Sequence, residues 1–111
     1  MIDLTFLEQL TKGNRDKLKR YIKLYLDVVP ETFSRMEENI SAADWQSLAI
    51  NAHSLKPQAD YIGHHHLKDV LIEIELAVKN QHVNACPTLM KQALLLHKEA
   101  EIFLIEKLKS E

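Results

Sequence analysis

Glycine, proline and cysteine are scarce in this sequence: 2, 3 and 1 among 111 residues. Each scarcity excludes something. Phosphate-cradling loops of the Walker or dinucleotide type need two or three glycines close together. Here Gly13 and Gly63 stand far apart in the chain, so neither nucleotide binding through such a loop nor an ordinary kinase or Rossmann reading is open. Tight hairpins need Gly or Asn-Gly pairs, and none is present, which argues against a turn-rich all-β fold. Cys86 is alone, so it allows no internal disulfide and no CxxC metal site, and a reducing, cytoplasmic setting is expected. No apolar run is long enough for a membrane span. The N-terminal stretch Met1 to Glu8 carries early acids and does not read as a signal peptide. No strong charge of one sign is present either: the formal net charge is −2, and nucleic acid is not an expected partner. A local basic cluster does stand out: Lys12, Arg15, Lys17, Lys19, Arg20 and Lys23, opposed by Asp16. It fits a solvated helix face, or a basic rim for an acidic partner.

What is abundant is helical periodicity. Thr5-Phe6-Leu7-Glu8 has the form of a capping box opening a short helix. Gly13-Asn14 interrupts, with Asn14 a cap for the next helix. Leu18, Ile22, Tyr25, Val29, Phe33, Met36 and Ile40 then form one stripe at steps of three and four. Pro30 lies inside it and is expected to kink that helix or start a second piece. Ser41 to Asp44 has the form of a second capping box, followed by Trp45, Leu48, Ala52, Leu55, Ala59 and Ile62. Gly63 suits a left-handed position closing that helix. A third stripe runs through Leu67, Val70, Leu71, Ile74, Ala77 and Val78. After a polar break at 80–84, Pro87 sits near the start of the last stripe, where proline is best tolerated. That stripe is Leu89, Met90, Ala93, Leu94, Leu96, Ala100, Phe103, Leu104 and Leu108. The pattern predicts one all-α domain over residues 1–111. It is an up-down antiparallel four-helix bundle with an additional short N-terminal helix. Bundles host many activities, so the fold alone assigns none.

Six histidines are the unusual part of the composition. Three of them, His64, His65 and His66, are consecutive. Neighbours on a helix point about 100° apart, so such a run cannot converge on one ion, and no metal site is expected. His97 falls near the last buried stripe and reads as a satisfied boundary residue, while His82 lies in the polar break. His53 is different. It stands about 100° off the line of Ala52 and Leu55 and so faces outward. Around it lie Ala49, Ile50, Lys56 and Pro57: small apolar residues about one imidazole and one ammonium. Exposed helical faces are usually filled with Glu, Lys or Gln.

The stretch from Ala52 to Gly63 resembles the signature of histidine-containing phosphotransfer (HPt) domains. That signature has a His, a Lys three residues later, usually a Gly directly after the Lys, and a Gly ten residues after the His. His53, Lys56 and Gly63 match; Pro57 stands where the second Gly would be. The surroundings are similar too: a short first helix, an acid-Pro stretch in the second (Asp27 to Pro30), and Asp44-Trp45 ahead of the His helix. The resemblance covers essentially the whole chain.

It implies a phosphorelay intermediate. His53 would take a phosphoryl group from the aspartyl phosphate of one receiver domain and pass it to the Asp of another. Such a carrier is not an enzyme in its own right and needs no cofactor, the magnesium ion being expected in the partner receiver only. Imidazole is mostly neutral at neutral pH, so its nitrogen can attack without a general base. Phosphoryl transfer rests mainly on positioning and electrostatics. Lys56 would offset charge on the phosphorylated ring, and Ala49, Ile50, Pro57 and Gln58 would meet the docked receiver. Gln58 could instead bond a phosphate oxygen or be plain surface. Pro57 either bends the helix without functional meaning or shapes the groove below His53. The implied partners are response-regulator receivers, with a hybrid sensor histidine kinase as a further candidate; a monomer is expected. The alternative is a docking module that binds a receiver through the same face and carries no phosphate, because Pro57 spoils access.

Overall fold

The computed structural model describes residues 2–110. Five α-helices follow one another: α1 (Thr5–Leu10), α2 (Arg15–Ser41), α3 (Trp45–Tyr61), α4 (His65–Lys79) and α5 (Cys86–Ser110), the last preceded by a 3₁₀ turn at Val83–Ala85. Helices α2 to α5 pack in ring order, α2 on α3, α3 on α4, α4 on α5 and α5 back on α2. This is the expected up-down bundle, 44 × 19 × 19 Å. Its long dimension is set by α2, whose 27 residues span about 40 Å at ~1.5 Å per residue.

The predicted stripes are the core. Leu18, Ile22, Tyr25, Val29, Phe33 and Met36 of α2 are buried, against Leu48, Ala52, Leu55 and Ala59 of α3 and Leu67, Val70, Leu71, Ile74 and Ala77 of α4. Pro30 does not split α2, which continues through it to Ser41. In α5 the stripe differs from expectation at one place. Met90, Ala93, His97, Ala100 and Leu104 are buried at steps of three and four, so His97 holds a core position. Phe103 lies one residue off that line and is 44% exposed rather than core.

The caps correct two readings. Asn14 does cap α2, its side chain accepting from the Lys17 amide at 3.0 Å. Thr5, however, is inside α1; the Asp3 carboxylate accepts from its amide at 2.9 Å and from its hydroxyl. Those two bonds hold the Asp3 carboxyl below its usual range. Likewise Ser41 ends α2 and caps nothing. The chain turns through Ala43 at φ 54°, and Asp44 caps α3 by accepting from the Ser47 amide at 3.2 Å.

Gly63 sits at φ +65° just past α3, the left-handed position expected of it. A Cβ there would lie 1.9 Å from the Asp3 carbonyl oxygen, so this glycine also lets the N-terminal segment cross the end of α3. The Asp3 amide donates to the Ile62 carbonyl at 3.2 Å, and Leu4 and Leu7 are buried directly after it. The following His64 is buried and caps α4, its Nδ1 accepting from the Leu67 amide at 3.3 Å. Among the described residues no helix is long and apolar enough to cross a membrane.

Candidate functional site: the outer face of α3

The buried stripe of α3 turns His53 outward, and its side chain is 69% exposed near the middle of the helix. One ring nitrogen is occupied. Nδ1 lies 3.1 Å from Oε2 of Glu75, which reaches across from α4. The other carboxylate oxygen, Oε1, lies 2.7 Å from Nζ of Lys56. Both Lys56 and Glu75 side chains are 24% exposed, so this ion pair is shielded on one side by the helices that carry it. The Nε2 edge of His53 has no hydrogen-bond partner among the described residues. The site is therefore one carboxylate joining an imidazole and an ammonium that stand one helical turn apart on α3.

Helix packing produces this arrangement. Of the helix pairs, α3 and α4 are the most closely associated. Ile74 is fully buried, which puts Glu75 at the margin of the α4 interface rather than out in solvent. On its other flank α3 is tied to α2 by the Asn51 amide, which donates to Asn39 Oδ1 at 2.8 Å. Asn51 also receives the Ser54 hydroxyl on its carbonyl, at 2.7 Å.

The remaining residues singled out in the sequence divide into two places. Ile50, one turn before His53, is 62% exposed, and Leu76 beside Glu75 is exposed as well. With half-buried Ala49, Leu76 lines a shallow groove between α3 and α4 whose polar wall is Lys56, Glu75 and Lys79. Pro57 is exposed next to Lys56. Gln58 points elsewhere, into a hollow with Leu7, Tyr21, Leu24, Tyr25 and Tyr61 between α1, α2 and the end of α3. There Phe6 stacks on Tyr61 at 6.2 Å, and Lys17 and Arg20 of the basic cluster lie close to Tyr21 and Leu24.

The other histidines are differently employed. Burial pushes His64 below the ordinary histidine range, against the pull of a hydrogen bond to the Leu96 backbone. His97 is 4% exposed and lies 4.7 Å from the Phe33 ring. Burial lowers its pKa too, partly offset by Glu101, whose Oε2 is 3.4 Å from Nε2. Its Nδ1 has no partner among the described residues, so this histidine is buried and half satisfied rather than a satisfied boundary residue. His65, His66 and His82 are exposed at the start of α4 and in the α4–α5 connection. Among the described residues no group of three His, Cys, Asp or Glu side chains is placed to hold a metal ion.

Sequence reasoning singled out His53 and Lys56 and did not single out Glu75, which the structure places against both. Nothing in its local pattern, Ile74-Glu75-Leu76, separates it from Glu73 two residues earlier. Only the register of α4 against α3 does.

The family model of the Hpt domain matches residues 20–105, which contain His53, Lys56, Gly63 and Glu75. Among curated proteins no sequence match is found. A similar solved structure is that of histidine-containing phosphotransfer protein B (HptB) from Pseudomonas aeruginosa PAO1. It superposes with a TM-score of 0.92 over 99% of this chain and 96% of that chain, at 19% identity, a likeness of fold. With a family model spanning most of the bundle and a matching five-helix architecture, the chain belongs to the Hpt domain family, whose members carry phosphoryl groups on histidine in phosphorelays and are not catalytic enzymes in their own right.

Proposed function

We propose that His53 is the phosphoryl-accepting residue of this domain, taking the group from a receiver aspartyl phosphate and returning it to the Asp of a second receiver. The observation that carries this reading is the open Nε2 edge of His53, on the outside of a packed helix, with Lys56 one turn away. Of the other five histidines, two are buried and three lie at a helix start or in a connection. In the transfer step the Nε2 lone pair attacks phosphorus. The P–O bond to the aspartyl group breaks, and its electron pair leaves with the receiver carboxylate. No proton has to leave Nε2 first, so the domain needs no base of its own. Lys56, as a mobile ammonium, can turn from Glu75 toward the new phosphoryl oxygens. Ala49, Ile50 and Pro57 would face the receiver beside the ring, with Gln58 and the basic residues around Tyr21 further out. No cofactor is required on this side; the divalent ion belongs in the receiver's acidic pocket.

The test is to incubate the protein with a phosphorylated receiver and follow acid-labile, base-stable phosphate. Wild type takes the label and His53→Gln does not. Labelling of His53→Gln at the wild-type level refutes the assignment. Binding by calorimetry with no phosphate movement would identify the docking-only alternative.

A further inference from the structure

The stripe that packs α5 into the bundle leaves the opposite side of that helix to solvent, and this side is not ordinary surface. Ile102 and Leu95 are the two most exposed large apolar side chains among the described residues, at 66% and 64%, and Ile105 is exposed with them. Together with exposed Lys91 and Lys98 they recur at positions 91, 95, 98, 102 and 105. Alternating steps of four and three are the spacing by which one helix meets another. Glu99 and Glu106 are exposed alongside, each one residue past a member of that row. Among the described residues none of these four charges is drawn into an ion pair within its own chain.

The order of these residues makes the face complementary to itself. Place a second copy of α5 antiparallel to the first, about a two-fold axis between Lys98 and Glu99. Lys98 then meets the partner's Glu99, Leu95 meets the partner's Ile102, and Lys91 meets the partner's Glu106. The symmetry makes every pair occur twice. A parallel pairing would instead set lysine against lysine and glutamate against glutamate, which repel. We propose that the outer face of α5 is a dimerisation surface, joining two copies of this chain antiparallel about Lys98 and Glu99, in place of the expected monomer. Burial of Leu95 and Ile102 drives the contact, and the four charges fix its direction and register. In the ring of helices α5 packs on α2 and α4, and α3 packs on the same two, so α5 lies across the bundle from α3. Two copies joined in this way turn both His53 faces outward, each open to its own receiver. The dimer holds whichever histidine takes phosphate.

A single helix pair is a small interface, under about 1,200 Å² in total, and belongs with the transient contacts. Dissociation constants in the range of about 1–100 µM are expected, and sedimentation equilibrium of the whole protein at low salt, up to about 1 mM, should show the dimer mass. Lys91→Glu and Glu106→Lys each turn two attractions into two repulsions and should weaken association about tenfold. Lys91 and Glu106 lie about 22 Å apart along α5 at ~1.5 Å per residue, too far to pair within one chain. The double variant therefore restores only a contact between chains, and its dissociation constant should return to within about threefold of wild type. Leu95→Ser combined with Ile102→Ser should leave a monomer with an unchanged circular dichroism spectrum, because neither side chain is buried. A monomer mass at every concentration overturns the proposal and means that a different partner covers this face. A dimer that none of these substitutions weakens places the contact elsewhere, and a dimer that the charge swap fails to restore refutes the antiparallel pairing; each overturns it as well.

Discussion

Gly63→Ala should separate two roles that one residue combines. Gly13 and Gly63 both have positive φ, +75° and +65°, so alanine is strained at either position by about 1–2 kcal/mol. At Gly13 nothing lies within 4 Å of an added Cβ, and the strain is the whole cost. At Gly63 the Cβ would sit 1.9 Å from the Asp3 carbonyl oxygen and 2.8 Å from its carbon, which is backbone and cannot rotate aside. The N-terminal segment must move away. It then loses the Asp3–Ile62 hydrogen bond, about 1 kcal/mol. It also loosens Leu4, whose full burial is worth ~1.5–3 kcal/mol. Helix α1 has 6 residues and no stability by itself, so Leu7 follows in the worst case.

The expected loss is therefore about 3–5 kcal/mol for Gly63→Ala against about 1–2 for Gly13→Ala, a large share of a ~5–15 kcal/mol total. Urea titration followed by circular dichroism reads both. With a slope near 1.5 kcal/mol per molar, Gly63→Ala should lower the midpoint by about 2–3 M and Gly13→Ala by about 1 M. His53 labelling per folded molecule should not change, since Gly63 acts on the crossing of the N-terminal segment and not on the outer face of α3. Equal midpoint shifts for the two variants would refute the close approach of Asp3.

Two further outcomes are expected. Lys56→Ala should slow receiver-to-His53 transfer or shorten the phosphohistidine lifetime by about tenfold, from the ~1.5 kcal/mol or more of a hydrogen bond to a charged group, and wild-type values for both would show Lys56 to be surface only. Stability should be full above the ordinary histidine value of 6.5 and fall as pH drops below it, because burial holds His64 and His97 lower when folded and the unfolded chain then binds more protons. His64→Asn, which keeps a capping side chain at α4, should flatten that fall in urea midpoint; an unchanged slope would remove His64 from the account.

How much of this was legible depended on distance along the chain. The α2 stripe from Leu18 to Met36 could be read because burial on a straight helix repeats every three or four residues. The Asn14 cap could be read because its partner, Lys17, is three residues away. Ser41 to Asp44 had the form of a capping box, but the left-handed turn at Ala43 leaves Ser41 in α2 and makes Asp44 the cap. In α5 the aromatic Phe103 looked like core and His97 did not, yet the Ala93–Ala100 line selects His97, with Phe33 and Tyr25 supplied by α2. The outward turn of His53 was local geometry. Glu75, 22 residues later, was invisible because its place depends on how α4 slides against α3.

Pro57 shows why that cross-helix contact matters to the turn that carries His53. Without an amide hydrogen, Pro57 cannot bond the carbonyl four residues back, which is that of His53 itself. In an isolated helix this would cost ~3 kcal/mol and break the segment. Here α3 continues to Tyr61, with Leu55 and Ala59 buried on either side of the proline. Packing on the inner face thus maintains a helix whose outer turn lacks its own hydrogen bond. On that outer face, the first and fourth residues of the weakened turn are His53 and Lys56, and Glu75 holds both from α4. The role proposed for His53 asks that its nitrogen be held to within a fraction of an ångström of a productive line, and a loosened turn would defeat that. The ring's Nδ1 is thus held from the neighbouring helix, beside a turn of α3 in which Pro57 stands where the signature it resembles usually has glycine.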